Sequence, residues 1–220
     1  MEVSDVLENK GLVEHCLMVF GNGWRYVYGT YGLILTESHL ALKQQQYPNQ
    51  INKYIDFIKS ECINKRTVDC VGFIKSYLWW NIGDVKYDAA TDTSANGMYY
   101  LSVEKGKISS MPEILGLCLW KNGHVGVYIG QGKVIEARGT KEGVICCSIS
   151  DNTWSHWFKC PYITYPQITW EQIIDEFADH PVEWKTAIKV LKNAAKADGN
   201  LGSLEIFKYL PDLLEKIYNK

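Results

Sequence analysis

Cys70, His124 and Glu136 have side chains that together suit nucleophilic catalysis. A cysteine attacks an amide carbonyl when a histidine takes the thiol proton, and a third polar group holds the imidazole in the required tautomer. His124 directly follows an Asn-Gly turn, and Glu136 comes twelve residues later. These residue types therefore predict acyl-transfer chemistry, provided that the fold brings the three side chains together.

Cys70 stands between a polar loop and an amphipathic helix. Val71, Ile74 and Leu78 recur on one helical face, so we predict a helix from Cys70 to about Trp80. The unpaired N–H groups and the positive end of the dipole at a helix N-terminus favour a thiolate. A small buried apolar side chain is the alternative interpretation of a lone cysteine, so the residue pattern alone leaves both roles open.

The segments on either side of Gln131-Gly132 predict an antiparallel hairpin that carries both His124 and Glu136. Strands are expected at 124–129 and 133–137, joined by a short turn. Pairing across this turn places Glu136 opposite Val127, with His124 displaced diagonally along the neighbouring strand. A bulge or a longer turn would bring His124 and Glu136 closer, and a solvent-facing Glu136 is the alternative.

Helical patterns come first in the chain, and strand patterns follow them. Apolar residues at helical spacing predict helices at about 4–20, 36–46, 48–62, 70–80 and 97–105. Strand patterns occur at 115–120, 124–129, 133–137, 144–149 and 157–163. Helices followed by an antiparallel sheet of about five strands predict an α+β fold, with the helices packed on the sheet.

Beyond Pro166 the sequence changes to three short helical segments. We therefore divide the chain into a main domain at 1–166 and a helical appendage at 167–220. Because about fifty residues in short helices bury little apolar surface by themselves, the appendage is expected to dock on the main domain.

The composition is that of an ordinary globular protein and excludes several classes of partner. Hydrophobic residues make up 46% of the chain and charged residues 22%, with a formal net charge of −2. The sequence has no basic run for nucleic acid and no apolar run long enough for stable membrane insertion. The seven cysteines form no CxxC pair, so neither a metal nor a cofactor is expected.

Four motifs stand in a fixed order between about Leu12 and Tyr165. They lie at 24–29, 69–73, 123–130 and 134–137, with the sequences WRYVYG, DCVGF, GHVGVYIG and VIEA. Together they resemble the NlpC/P60 family of cell-wall cysteine peptidases. The resemblance implies a papain-like fold, in which a cysteine at a helix N-terminus packs on an antiparallel sheet that carries the histidine.

The resemblance also implies a role for each matching residue. Cys70 matches the nucleophile, His124 the general base and acid, and Glu136 the third polar residue of the family. Tyr26 matches a tyrosine whose hydroxyl, together with the Cys70 backbone N–H, stabilises the oxyanion. Asp69 matches an aspartate that helps some relatives to bind the free amine of a stem peptide.

The chain departs from the family pattern in three ways. Val71 stands where the family usually has serine, and Glu136 stands where it commonly has His, Asn or Gln. The span from Tyr26 to Cys70 is also much longer than in typical members. The helices predicted at about 33–62 are therefore interpreted as an insertion beside the cleft, which shapes substrate access or contacts another subunit.

The function implied by the resemblance is hydrolysis of bacterial peptidoglycan. The expected cut is a stem-peptide amide bond, after γ-D-glutamate, through a thioester on Cys70. One alternative is an N-acetylmuramoyl-L-alanine amidase, and another is an intracellular amide hydrolase or acyltransferase on the same fold. An inactive wall-binding or virion structural protein is the third alternative.

The acidic N-terminal residues, 1–5, lack the positive start and apolar core of a signal peptide. A product made in the cytoplasm that acts on the wall suggests a phage or prophage endolysin, released by phage lysis or carried as a virion component. The segment 167–220 would then be a wall-binding or oligomerising module, with a packing appendage as the simpler interpretation. The sequence leaves the oligomeric state open.

Overall fold

The computed structural model describes residues 6–166 as helices followed by an antiparallel sheet. The helices are α1 (Asn9–Gly21), α2 (Glu37–Gln46), α3 (Pro48–Asn52), α4 (Ile55–Glu61), α5 (Cys70–Leu78) and α6 (Ala95–Leu101). The strands are β1 (Arg25–Tyr26), β2 (Tyr31–Ile34), β3 (Arg66–Val68), β4 (Trp80–Asn81), β5 (Asp84–Val85), β6 (Lys105–Lys107), β7 (Cys118–Lys121), β8 (His124–Gly130), β9 (Lys133–Gly139), β10 (Gly143–Ser148) and β11 (His156–Phe158). The predicted helices of 167–220 lie outside the described residues.

The main sheet has six strands in the order β10-β9-β8-β7-β11-β6, and every neighbouring pair is antiparallel. The α+β fold predicted from the sequence is thus confirmed. The prediction of about five strands omitted the edge strand β6, whose Lys-Gly-Lys sequence has no apolar alternation to signal a strand.

Helix α5 lies in the main core, which its apolar residues share with α1 and with the sheet. Phe73 and Ile74 of α5 are fully buried in one cluster with Leu12 of α1 and with Val125 and Val127 of β8. Each such side chain contributes about 1.5–3 kcal/mol by its burial. This packing holds the N-terminus of α5, and therefore Cys70, against the sheet that carries His124 and Glu136.

Three helix predictions differ from the structure at their ends, and one of them is α6, which ends at Leu101 and not at about 105. Helix α1 begins at Asn9, later than predicted, because Glu8 forms a parallel bridge with Thr164, whose N–H donates to the Leu7 carbonyl at 2.8 Å. The helix predicted over 48–62 divides into α3 and α4 at Lys53 and Tyr54. The apolar stripe is nevertheless real, since Ile51 and Ile58 are buried on the same core.

The segment interpreted as an insertion has a core of its own. Six residues form this second cluster, each no more than 2% exposed: Val27, Leu35, Leu40, Ile51, Ile58 and Cys62. Since Val27 follows β1 and Leu35 follows β2, the cluster joins the helices α2–α4 to the small sheet β1-β3-β2. The segment is therefore folded against the strand that carries Tyr26.

Gly72 lies in the first turn of α5, where the backbone of a neighbouring loop approaches closely. A Cβ at Gly72 would overlap the Thr30 carbonyl oxygen, which already accepts the Asp69 N–H at 2.9 Å. Because backbone atoms cannot rotate away, Gly72→Ala is expected to lower the free energy of unfolding by about 3 kcal/mol. Urea unfolding followed by tryptophan fluorescence measures this loss.

Gly97 offers a matched control, since it occupies the same position in α6 after the N-cap Ser94. A Cβ there meets the hydroxyl end of Thr93, which can rotate. Gly97→Ala should therefore change stability by less than about 1 kcal/mol, because alanine also favours the helix. Equal losses in the two variants would contradict the close approach at Gly72.

Candidate active site

Asp69 caps the helix that Cys70 begins. Its Oδ1 accepts the Gly72 N–H at 2.6 Å, and its Oδ2 accepts the Gly29 N–H at 2.9 Å. The carboxylate thereby satisfies one of the unpaired donors of the helix N-terminus and ties α5 to the loop after β1. Both oxygens are used by the backbone, so Asp69 positions Cys70 as well as lining the cleft beside it.

The Cys70 thiol lies next to Gly123, the residue that precedes β8. It is 8% exposed, and its S–H donates to the Gly123 carbonyl with an Sγ–O distance of 3.8 Å. Burial, and then the charge of Asp69, raise the pKa of Cys70 to about 12, although backbone N–H groups, the first that of Val71, act in the opposite direction. The predicted effect of the helix terminus is present but outweighed, so the resting group is a thiol that needs a base.

His124 is the first residue of β8, and its imidazole contacts Glu136 of β9. The His124 Nε2 lies 2.5 Å from the Glu136 Oε2, and the Glu136 side chain is fully buried. Burial raises the pKa of Glu136, but hydrogen bonds from His124 and Arg138 lower it to about 2. An ionised carboxylate only accepts hydrogen bonds, so Nε2 is the ring nitrogen that donates to Glu136, and Nδ1 is the one that does not bond to it.

The predicted register of this hairpin was wrong by one residue. A bulge between Tyr128 and Gly130 makes Val127 pair with Ile135, so Glu136 lies opposite Gly126 and not Val127. The cause is the turn, where Gly130, Gln131 and Gly132 all have positive φ. Side chains alternate between faces along a strand, so the bulge puts Glu136 on the face of His124.

Gly126 provides the space in which this pair forms. A Cβ at Gly126 would lie 2.8 Å from the Val134 Cγ1, 3.1 Å from the Trp154 Cη2 and 3.2 Å from the Glu136 Cβ. All three distances are tighter than ordinary contacts, so a larger residue would displace at least one of these side chains. Gly126, the second glycine of the GHVGVYIG motif, is therefore explained by the packing around the His124–Glu136 pair.

Three residues of the site were missed by the sequence reasoning. Arg138 donates to the Glu136 Oε1 at 2.7 Å, and the Asn152 Nδ2 donates to the Oε2 at 3.1 Å. The Trp154 ring stacks on His124 with a centroid distance of 5.4 Å and an interplanar angle of 13°. Arg138 could have been found, since it follows Glu136 by two residues on the same strand face. Asn152 and Trp154 come from an irregular segment with no pattern.

Trp154→Leu is expected to lower kcat/KM about tenfold, because the imidazole of His124 loses the flat surface that holds its plane. Leucine keeps the site apolar but cannot stack on a ring. The measurement is peptide hydrolysis at equal concentrations of folded protein. Trp157→Leu is the control, since Trp157 packs against the hydrophobic cluster that contains Trp154 but does not contact His124. An equal loss of activity in both variants would contradict the positioning role of Trp154.

Tyr26 is held near Cys70 because its strand, β1, pairs with β3, the strand that precedes Cys70. It pairs in parallel with Val68, two residues before Cys70. Burial, followed by the nearby Cys70 and Asp69, raises the pKa of Tyr26. The hydroxyl therefore stays protonated and is available as a hydrogen-bond donor near the Cys70 thiol.

Cys70 opens onto a cleft of about 800 Å³. Asp69, Cys70 and Gly123 line this cleft. The insertion contributes Lys43, Gln46 and Tyr47 to the lining, and the remaining charged or hydroxyl-bearing residues include Lys75, Tyr87 and Asp92. Among residues 6–166 no group of His, Cys, Asp and Glu side chains could hold a metal ion. No helix within that part of the chain is long and apolar enough to cross a membrane.

Residues 60–162 match the model of the NlpC/P60 family. This part of the chain is an NlpC/P60 domain. The match contains Cys70, His124 and Glu136, whereas Tyr26 and most of the insertion precede it. The matched residues include helix α5, which begins with Cys70, and every strand of the main sheet.

The solved structures that match the chain have low sequence identity to it. The peptidoglycan hydrolase RipB from Mycobacterium tuberculosis is 16% identical, with a TM-score of 0.41, over 71% of this chain and 67% of that one. The NlpC/p60 domain of the peptidoglycan hydrolase SagA is 17% identical, with a TM-score of 0.37, over 68% and 97%. NlpC1 from Trichomonas vaginalis is 14% identical, with a TM-score of 0.36, over 72% and 47%. No curated protein sequence matches the chain.

Proposed function

We propose that the protein is a cysteine peptidase that hydrolyses an amide bond in the stem peptide of bacterial peptidoglycan. The observation that carries the proposal is the hydrogen bond between His124, at the start of β8, and the buried Glu136 of β9. Gly123, the residue before His124, accepts a hydrogen bond from the Cys70 thiol at 3.8 Å. A binding protein has no need of a buried ionised carboxylate that bonds to a histidine beside a cysteine. The substrate class comes from the cell-wall activity of the NlpC/P60 family.

The first step transfers the thiol proton and forms a bond to carbon. Nδ1 of His124 takes the proton of Cys70, and the sulfur attacks the amide carbonyl carbon. The carbonyl oxygen becomes an oxyanion that accepts hydrogen bonds from the Tyr26 hydroxyl and the Cys70 backbone N–H. Glu136, ionised because its pKa is about 2, stabilises the imidazolium that forms.

The second step releases the amine, and the third restores the enzyme. His124 donates its proton to the leaving nitrogen as the C–N bond breaks, which leaves a thioester on Cys70. A water molecule then gives a proton to His124 and attacks the thioester carbon. The carboxylic acid leaves, and the proton returns from His124 to the sulfur.

We place the cut after γ-D-glutamate, the bond that the family usually cleaves. The test is to incubate purified peptidoglycan with the wild type and identify the new termini by mass spectrometry. A new amine on the residue after γ-D-glutamate supports this bond, and a new N-terminal L-alanine would instead indicate an amidase. Absence of any release that depends on Cys70 would overturn the hydrolase proposal.

A further inference from the structure

We propose that Lys43, on helix α2, binds a free carboxylate of the substrate in the cleft beside Cys70. This inference rests on the proposed hydrolase function and names a specificity residue for it. Lys43 precedes the 60–162 match to the NlpC/P60 family and belongs to the segment interpreted as an insertion. The carboxylate site would therefore be a property that the insertion adds to the domain.

The insertion is fixed against the loop that holds the Cys70 helix. The Tyr47 ring packs edge-on against Tyr28 with a centroid distance of 5.0 Å, and it covers the backbone of Gly29. A Cβ at Gly29 would overlap the Tyr47 ring, and the Gly29 N–H donates to the Asp69 Oδ2 at 2.9 Å. The C-terminal end of α2, which carries Lys43, is thus held close to the helix cap of Cys70.

The other charged groups of the cleft already have partners. The Lys75 Nζ lies 2.6 Å from the Asp92 Oδ1, and the Tyr87 hydroxyl donates to the Asp92 Oδ2 at 3.0 Å. Both carboxylate oxygens of Asp69 accept backbone N–H groups. Within the described part of the chain, Lys43 forms no ion pair.

Lys43 has donors to spare and a defined position. Its Nζ donates to the Gln46 Oε1 at 3.1 Å and lies 6.0 Å from the Tyr31 ring centroid and 5.9 Å from that of Tyr47. An ammonium has three donors, so two remain for a ligand. Burial lowers the pKa of Lys43 more than Asp69 raises it, and a bound carboxylate would compensate this desolvated charge.

The proposed cleavage site supplies such a carboxylate. A glutamate linked through its γ-carbon keeps its α-carboxylate, which then lies within a few bonds of the amide carbonyl that Cys70 attacks. An α-carboxamide at the same place has the same shape but no charge, so it would gain less from the ammonium. The enzyme is therefore expected to prefer stem peptides with the free carboxylate.

The test uses two synthetic stem peptides that differ only in an α-carboxylate or an α-carboxamide on the γ-linked glutamate. The wild type should cleave the carboxylate peptide with a kcat/KM about tenfold higher, as one charge-assisted hydrogen bond in a half-exposed site provides. Lys43→Met should remove the preference by lowering only the rate on the carboxylate peptide. Lys53→Met is the matched control, since Lys53 also lies over a tyrosine ring of the insertion but does not line the cleft. It should leave the preference unchanged.

A binding measurement separates this inference from the hydrolase proposal. The Cys70→Ala protein, titrated with each uncleaved peptide by calorimetry, should bind the carboxylate form about tenfold tighter, and adding Lys43→Met should abolish the difference. Equal affinities for the two peptides would overturn the role of Lys43, whether or not the wild type cleaves them. If the Cys70→Ala protein binds the carboxylate peptide more tightly but the wild type does not cleave it, the hydrolase proposal is overturned. The carboxylate site at Lys43 is supported in that case.

Discussion

Cys70→Ala is expected to lower the rate of peptide release from peptidoglycan by at least about 10³-fold, with little change in stability. The thiol is the proposed attacking group, and alanine has no nucleophilic atom to replace it. The S–H donates to the Gly123 carbonyl at 3.8 Å, and backbone N–H groups, the first that of Val71, donate to the sulfur. Because hydrogen bonds of sulfur are weak, the free energy of unfolding should fall by no more than about 1 kcal/mol.

Cys62→Ala is the control for removing a buried thiol elsewhere. Cys62 is fully buried in the core of the insertion and does not line the cleft. We expect a stability loss of about 1 kcal/mol or slightly more and full activity per folded molecule. Hydrolysis of purified wall and urea unfolding, measured on both variants, provide the comparison. Wild-type rates in Cys70→Ala would contradict nucleophilic catalysis by this residue.

Glu136→Gln is expected to lower kcat about 10³-fold and also to destabilise the fold. The amide cannot stabilise an imidazolium on His124 by charge, and it can bond to the ring in the wrong tautomer. Removal of the buried negative charge also deprives Arg138 of its carboxylate partner, since in the wild type the Arg138 Nε and Nη2 donate to the Glu136 Oε1 at 3.1 and 2.7 Å. Steady-state hydrolysis of a stem peptide measures the first effect.

The stability effect of Glu136 should depend on pH in a defined window. The pKa of Glu136 is about 2 in the folded protein, below its ordinary value of 4.5. A lowered folded-state pKa gives stability that is present above pH 4.5 and lost as the pH falls through 2. The shift corresponds to about 3 kcal/mol, so the wild-type advantage over Glu136→Gln should shrink by about that amount on acidification.

Urea unfolding of wild type and variant between neutral and acidic pH measures this dependence. Glu104→Gln is the control, because Glu104 pairs with Lys159 on the surface and is 59% exposed. An exposed ion pair contributes about 0–1 kcal/mol, so that variant should follow the wild-type pH profile closely. A pH-independent difference between wild type and Glu136→Gln would contradict the ionised state of Glu136.

Residue types and local spacing were enough to predict the fold class and the elements around the site. The apolar stripe after Cys70 predicted α5, and the Asn-Gly turn predicted the hairpin of β7 and β8, because both signals are local. The helix cap was not predicted, although Asp69 stands directly before the helical pattern. Edge strand β6 was missed because a Lys-Gly-Lys segment becomes a strand only by pairing with β11.

By itself, the sequence determined that Cys70 begins a helix and that His124 and Glu136 lie on neighbouring strands. Whether the last two meet was decided by the tertiary structure, since a bulge at the β8–β9 turn shifts the register by one residue and changes the face of Glu136. The resting state of Cys70 was also decided there. Its helix terminus favours a thiolate, but burial in the folded chain, followed by the charge of the adjacent Asp69, raises the pKa of Cys70 and keeps the thiol protonated.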